Sequence, residues 1–179
     1  EGDELTVQYE EPVDVDFPGK LRIAKVAHDF MGIAAYDPRI PLGLSGSCNV
    51  NINCDLVNGT ENIRDAVCRI IIEGTEICTG TLMNNTALDG APYILTANHC
   101  ITTEKNAQAS VFLFNFESPY CNSVIGDITR SLSGSSIKAA FDSLDFSLVR
   151  LNTVPPYYFR PYLAGWSRKS TAPTSTICI

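Results

Sequence analysis

From Cys48 onward the apolar residues of this chain come in short runs separated by turn-forming residues, at 66–72, 77–83, 93–95, 111–116, 137–141 and 146–151. Runs of this length suit strands and are too short for core helices, and no long amphipathic helical period competes with them. Glu73-Gly74-Thr75-Glu76 separates two of the runs and reads as a hairpin turn with Gly74 at positive φ. Residues 84–91 are polar and contain Gly90, and the Ser/Gly stretch at 131–136 reads as a second hairpin tip. The expected class is all-β, with six strands forming a single antiparallel barrel.

Length and charge limit what surrounds that barrel. A chain of 179 residues has room for one core-bearing domain and an extension. Its 45% hydrophobic and 18% charged residues are those of a globular protein. Thirteen basic residues against twenty acidic ones give a net charge of -7, which argues against nucleic acid or an anionic membrane surface as a partner. No apolar run approaches the roughly 20 residues of a membrane-spanning helix. Residues 1–42 differ from the rest: they are acidic at Glu10, Glu11, Asp14 and Asp16, offer one candidate strand at 21–27, and end in Asp37-Pro38-Arg39-Ile40-Pro41. They read as an N-terminal extension or the tail of a pro-region, and the start at Glu1 is consistent with a signal peptide already removed.

Seven cysteines point to an oxidising compartment, because cytosolic thiols rarely accumulate without a metal or redox motif. There is no Cys-x-x-Cys pair, His99 and Cys100 are adjacent and poorly placed to ligate one ion together, and His28 has no companion at ligand spacing. Zinc therefore ranks well below disulfides, and no metal is expected. The odd count leaves at least one cysteine without a partner in the chain.

The chemistry-bearing residues are His99, in Thr96-Ala97-Asn98-His99-Cys100 at the end of an apolar run, and Asp145, 46 residues later, in Asp145-Phe146-Ser147-Leu148. A histidine acting as general base needs a carboxylate to fix its tautomer and stabilise the imidazolium, and an acid at the start of an apolar run suggests burial beside a partner. Taken alone, either residue could be structural: a hydrogen-bonded histidine, a strand-end aspartate. A nucleophile is not found. Ser45 in Gly43-Leu44-Ser45-Gly46 and Ser133 in Leu132-Ser133-Gly134 mimic nucleophile motifs but lack their acidic or second-glycine context, and both read as loop residues.

The two motifs resemble those of trypsin-like serine peptidases, T-A-A-H-C and D-[IFL]-[AS]-L, with Asn98 in place of the second alanine. The chain is more closely similar to the bacterial lysyl endopeptidase branch, through residues 43–49 (Gly-Leu-Ser-Gly-Ser-Cys-Asn), residues 78–86 and Leu163-Ala164-Gly165-Trp166. The resemblance implies half of a double Greek-key barrel, divided into the extension at 1–42, the first barrel at 43–155 and an inter-barrel connector at 156–179, with one helical turn at 97–101 carrying the histidine. It also implies that the serine, the oxyanion hole and the specificity pocket belong to a second barrel outside these residues, so this chain by itself is expected to be inactive. The expected bridges are Cys78–Cys100 across the histidine loop and Cys54–Cys121; Cys68–Cys178 is inferred from position, and Cys48 remains as the orphan that would pair with the second half.

Three readings stay open. The first is the amino-terminal half of a secreted or periplasmic bacterial serine endopeptidase, with a peptide or protein substrate and no cofactor. The second is a secreted non-catalytic binding module on the same half-barrel, and the third a purely structural disulfide-stapled domain. Tyr157, Tyr158, Phe159, Tyr162 and Trp166 are read as packing residues rather than a binding groove, with self-association possible where the inter-barrel face is open.

Overall fold

A computed structural model describes residues 5–14, 19–23, 26, 49–54, 59–74, 76–121, 126–174, 176 and 179. Seven strands form one antiparallel sheet: β1 (Val67–Ile72), β2 (Glu76–Met83), β3 (Tyr93–Thr96), β4 (Val111–Phe114), β5 (Ser131–Ser133), β6 (Ser135–Phe141) and β7 (Phe146–Leu151), in the spatial order β5-β4-β1-β2-β3-β7-β6. The two edge strands are consecutive in the chain and separated by Gly134 alone. The sheet therefore curls until its ends share one run of chain, which makes it barrel-like.

That corner explains why there are seven strands where the sequence suggested six, and why 131–136 is not a hairpin tip. Gly134 has φ +80, and a Cβ there would lie 2.5 Å from Asn152 Nδ2 and 3.3 Å from the Gln108 carbonyl. Its own N–H donates to Ser110 O and its carbonyl accepts from Asn152 N, so the ladder passes from one edge to the other through this residue. Ser133 accordingly belongs to strand β5 rather than to a loop, whereas Ser45 lies outside the described residues.

Period-two alternation sets the core. Cys68, Ile70 and Ile72 of β1 are buried, as are Ser147, Val149 and Leu151 of β7, and β4 adds Phe112, Leu113 and Phe114. With Leu82, Ile94 and Ile101 the apolar side chains among these fill the interior, each large one contributing about 1.5–3 kcal/mol when fully buried. Gly80 leaves the room they need: a Cβ there would meet Ile94 at 2.6 Å and Ile70 at 2.9 Å. The hairpin between β1 and β2 turns at Glu73 and Gly74, with φ 52 and 77. Two short helices, α1 (Glu61–Arg64) and α2 (Glu104–Ala109), were not foreseen; Thr103 caps α2 by accepting from Asn106 N at 3.1 Å.

Two of the expected cysteine pairs form, and the one inferred from position alone does not. Cys54 is bridged to Cys121 and Cys78 to Cys100. Cys68 is a free thiol, so the Cys68–Cys178 bridge is not formed. Alternation along β1 turns Cys68 into the core beside Gly80, where it is 1% exposed. Burial pushes the Cys68 thiol up to about 12, far from reactivity. Cys48, Cys178 and His28 lie outside the described residues.

The ends of the chain are less enclosed than expected. Leu21, Ile23 and Val26 are each more than half exposed and in no strand, which sets aside that part of the strand anticipated at 21–27. In the aromatic run only Phe159 packs, at 3% exposure and 5.9 Å from the Phe114 ring; Tyr157 is 90% exposed, and Tyr158, Tyr162 and Trp166 are also open. The segment is nevertheless fastened: Ala164 bridges to Met83, donates to Leu82 O at 2.8 Å and accepts from Asn84 N at 2.9 Å. Arg160 and Asn115 both reach the Asp65 carboxylate, at 3.4 and 2.9 Å.

Candidate active site

The 46 residues between His99 and Asp145 are closed by strand register. Strands β3 and β7 are antiparallel neighbours with Thr96 opposite Ser147, so the residues just after β3 and just before β7 emerge at the same end of the barrel. His99 is three positions past Thr96 and Asp145 two positions before Ser147. The sheet alone brings them together.

Each then sits on a tight turn. After β3, the N–H groups of Cys100 and Ile101 donate to Ala97 O at 3.2 and 3.4 Å, the single helical turn expected there. Thr96 Oγ1 donates to Thr79 O at 2.8 Å, Cys100 is tied to β2 through Cys78, and Ile101 is fully buried, so His99 rides on a turn held at both ends. On the other side, a 3-10 turn over Asp142–Leu144 ends at Asp145, which adopts the left-handed conformation (φ 48, ψ 47) and donates its N–H to Asp142 O at 2.9 Å. Aspartate is one of the few residues that tolerates that backbone.

The Asp145 carboxylate collects donors from the histidine turn. Its Oδ1 accepts the backbone N–H of His99 at 2.9 Å, and its Oδ2 lies 2.7 Å from His99 Nδ1. These hydrogen bonds, the His99 backbone first, hold the carboxyl below its ordinary range, so it stays ionised. An ionised carboxylate only accepts, which assigns the Nδ1 proton to His99 and leaves Nε2 with its lone pair free to accept. Asp145 is not buried as its neighbours in sequence suggested: its side chain is 52% exposed and that of His99 71%. The apolar residues follow it into β7, while those before it form an open turn.

Among the described residues no serine hydroxyl hydrogen-bonds to the His99 ring. The sulfurs of Cys78 and Cys100 lie within 4.8 Å of a His99 ring nitrogen and are the nearest approach to a metal-binding group. Their bridge leaves no thiolate to ligate, so the donor set does not suit zinc. No helix of the described residues is long and apolar enough to cross a membrane.

The half-barrel thus carries a carboxylate-bound histidine at one rim. Residues 42–179 match the family described as lysyl endopeptidase, C-terminal domain, and the chain belongs to that family. It is 29% identical over 181 residues to a lysyl endopeptidase of Pseudomonas aeruginosa, an alignment covering 93% of this chain and 38% of that protein. The chain thus spans well under half the length of this relative.

Proposed function

We propose that this chain is the amino-terminal part of the catalytic unit of a secreted bacterial serine endopeptidase, supplying the base and the orienting acid while the nucleophilic serine comes from residues outside this sequence. The observation that carries this reading is the 2.7 Å contact between His99 Nδ1 and Asp145, set by the register of two adjacent strands. His99 Nε2 takes the proton of the attacking serine, Asp145 stabilises the imidazolium across Nδ1, and the same proton then passes to the leaving amine. Acyl transfer of this kind requires no cofactor. The oxyanion donors lie beside the serine and are likewise outside the chain, so these 179 residues alone are inactive.

The family suggests a peptide or protein substrate cleaved after lysine, with the specificity pocket outside these residues. On this reading 1–42 is an extension, 43–155 the first barrel and 156–179 the connector. The exposed Tyr157, Tyr158, Tyr162 and Trp166 form the surface that meets the rest of the enzyme or, in its absence, a second copy. Two disulfides support an extracytoplasmic site of action.

The test is to join the chain to the nucleophile-bearing half of a lysyl endopeptidase and follow hydrolysis of a lysyl ester. The expected result is no hydrolysis by the chain alone, hydrolysis after joining, loss of it with His99→Ala, and a fall of about 10⁴-fold in kcat with Asp145→Asn. A well-folded joined protein that stays inactive would favour a non-catalytic binding module. Activity indifferent to His99→Ala would remove His99 from the mechanism.

A further inference from the structure

We propose that Asn98 is a positioning residue, its side-chain amide tethering the turn that presents Asp145 to His99; the inference rests on the catalytic pairing proposed above. Asn98 is only 8% exposed, and a buried amide is costly unless bonded. Its Nδ2 donates to Asp142 Oδ1 at 3.3 Å. Asp142 opens the 3-10 turn that Asp145 closes, and its carbonyl accepts the Asp145 N–H at 2.9 Å. The next residue, His99, donates its backbone N–H to Asp145 Oδ1 at 2.9 Å. Two adjacent residues of the histidine turn therefore hold both ends of a four-residue turn, the Asn98 side chain at the first position and the His99 main chain at the last.

The turn needs such a hold. Phe141 is 53% and Leu144 72% exposed, so apolar packing does little to fix it. Asp145 sits in the left-handed region, where an L-residue stays only if its surroundings insist. The β6–β7 ladder closes at Phe141 opposite Phe146 and fixes where the turn begins and ends, while the four residues between, 142–145, lie outside the ladder. Truncating Asn98 at Cβ keeps the His99 main-chain contact and removes the tether. The Asp145 carboxylate then samples positions farther from Nδ1, and its grip on the histidine tautomer loosens without either member of the pair being changed.

The readout is the ratio of Nδ1–H to Nε2–H tautomers of neutral His99, measured from ring 15N shifts on the full chain, with the resonances assigned by His99→Gln. Asn98→Ala is expected to lower that ratio roughly two- to tenfold, the range for residues that act through a neighbour. Asp142→Ala, a change at an exposed side chain that keeps Asn98, is expected to lower it by a similar factor, and the double variant no further. Should Asn98→Ala fail to fold, Asp142→Ala carries the test alone. A ratio unchanged by either variant while Asp145→Asn collapses it overturns the tether and leaves the pair intact. A ratio that Asp145→Asn does not move overturns the pair itself, and the tether with it.

Discussion

The two turns that meet at the site are built to different standards. The histidine turn is locked: a fully buried Ile101 follows it, a disulfide ties Cys100 to β2, and Thr96 is hydrogen-bonded to Thr79 before it begins. The aspartate turn is open, with Phe141, Asp142, Leu144 and Asp145 exposed and no bridge or buried anchor of its own among the described residues. Strand register carries both arms to the same rim, but the aspartate turn has no buried side chain within it and is held further by hydrogen bonds that the first arm donates, two of them to Asp145 and one to Asp142.

Breaking the locked arm has the largest effect on folding. Ile101→Ala empties a fully buried site and is expected to cost about 2–5 kcal/mol, read as a lower urea midpoint at unchanged slope. Removing the Cys78–Cys100 bridge with a double alanine variant reopens a loop of 22 residues and is expected to cost about 3 kcal/mol. The same change at Cys54–Cys121, which spans 67 residues, serves as a control away from the site, with a cost of about 4 kcal/mol on loop entropy and no change in the His99 ring signals. If the first bridge could be removed with no loss of stability, the contrast between the arms would be wrong.

Acid tests the pair itself. The folded-state Asp145 carboxyl is held low, so its contribution to stability is present above the ordinary carboxylate range near about pH 4 and is lost as pH falls through the lowered value. Stability measured from pH 6 downward should therefore fall more steeply in the parent than in Asp145→Asn, the two curves converging at the acid end. Parallel curves would mean that the carboxylate gains nothing from the histidine turn. The smallest effect belongs to the open arm: Leu144→Ala, at a side chain 72% exposed, should change stability by no more than about 0.5 kcal/mol.

The same contrast separates what the sequence made legible from what it did not. The strands could be read because each is a short apolar run bounded by turn residues, although the run in β7 does not show that Ser147 faces inward, and His99 and Asp145 because their motifs lie at strand ends that register then brings together. The Gly134 corner was missed because a Ser/Gly run has the composition of a turn whether the chain reverses there or passes from one edge of a curled sheet to the other. Helix α2 was missed since six residues show too little period; the cap at Thr103 was the available signal. Cys68 was assigned a partner by counting, but the face a strand residue occupies decides what it can reach, and Cys68 faces inward. Asp145 looked buried from the apolar residues after it, and exposure turned out to follow the turn before it.

The central claim is that a proton-accepting Nε2 on His99 is already set within this chain by Asp145. The direct measurement is the ring 15N and 1H spectrum of the neutral form of His99 in the isolated chain. The account predicts that its single ring proton sits on Nδ1, with a downfield Nδ1–H resonance that disappears in Asp145→Asn. A ring protonated mainly on Nε2 and indifferent to that substitution would contradict it.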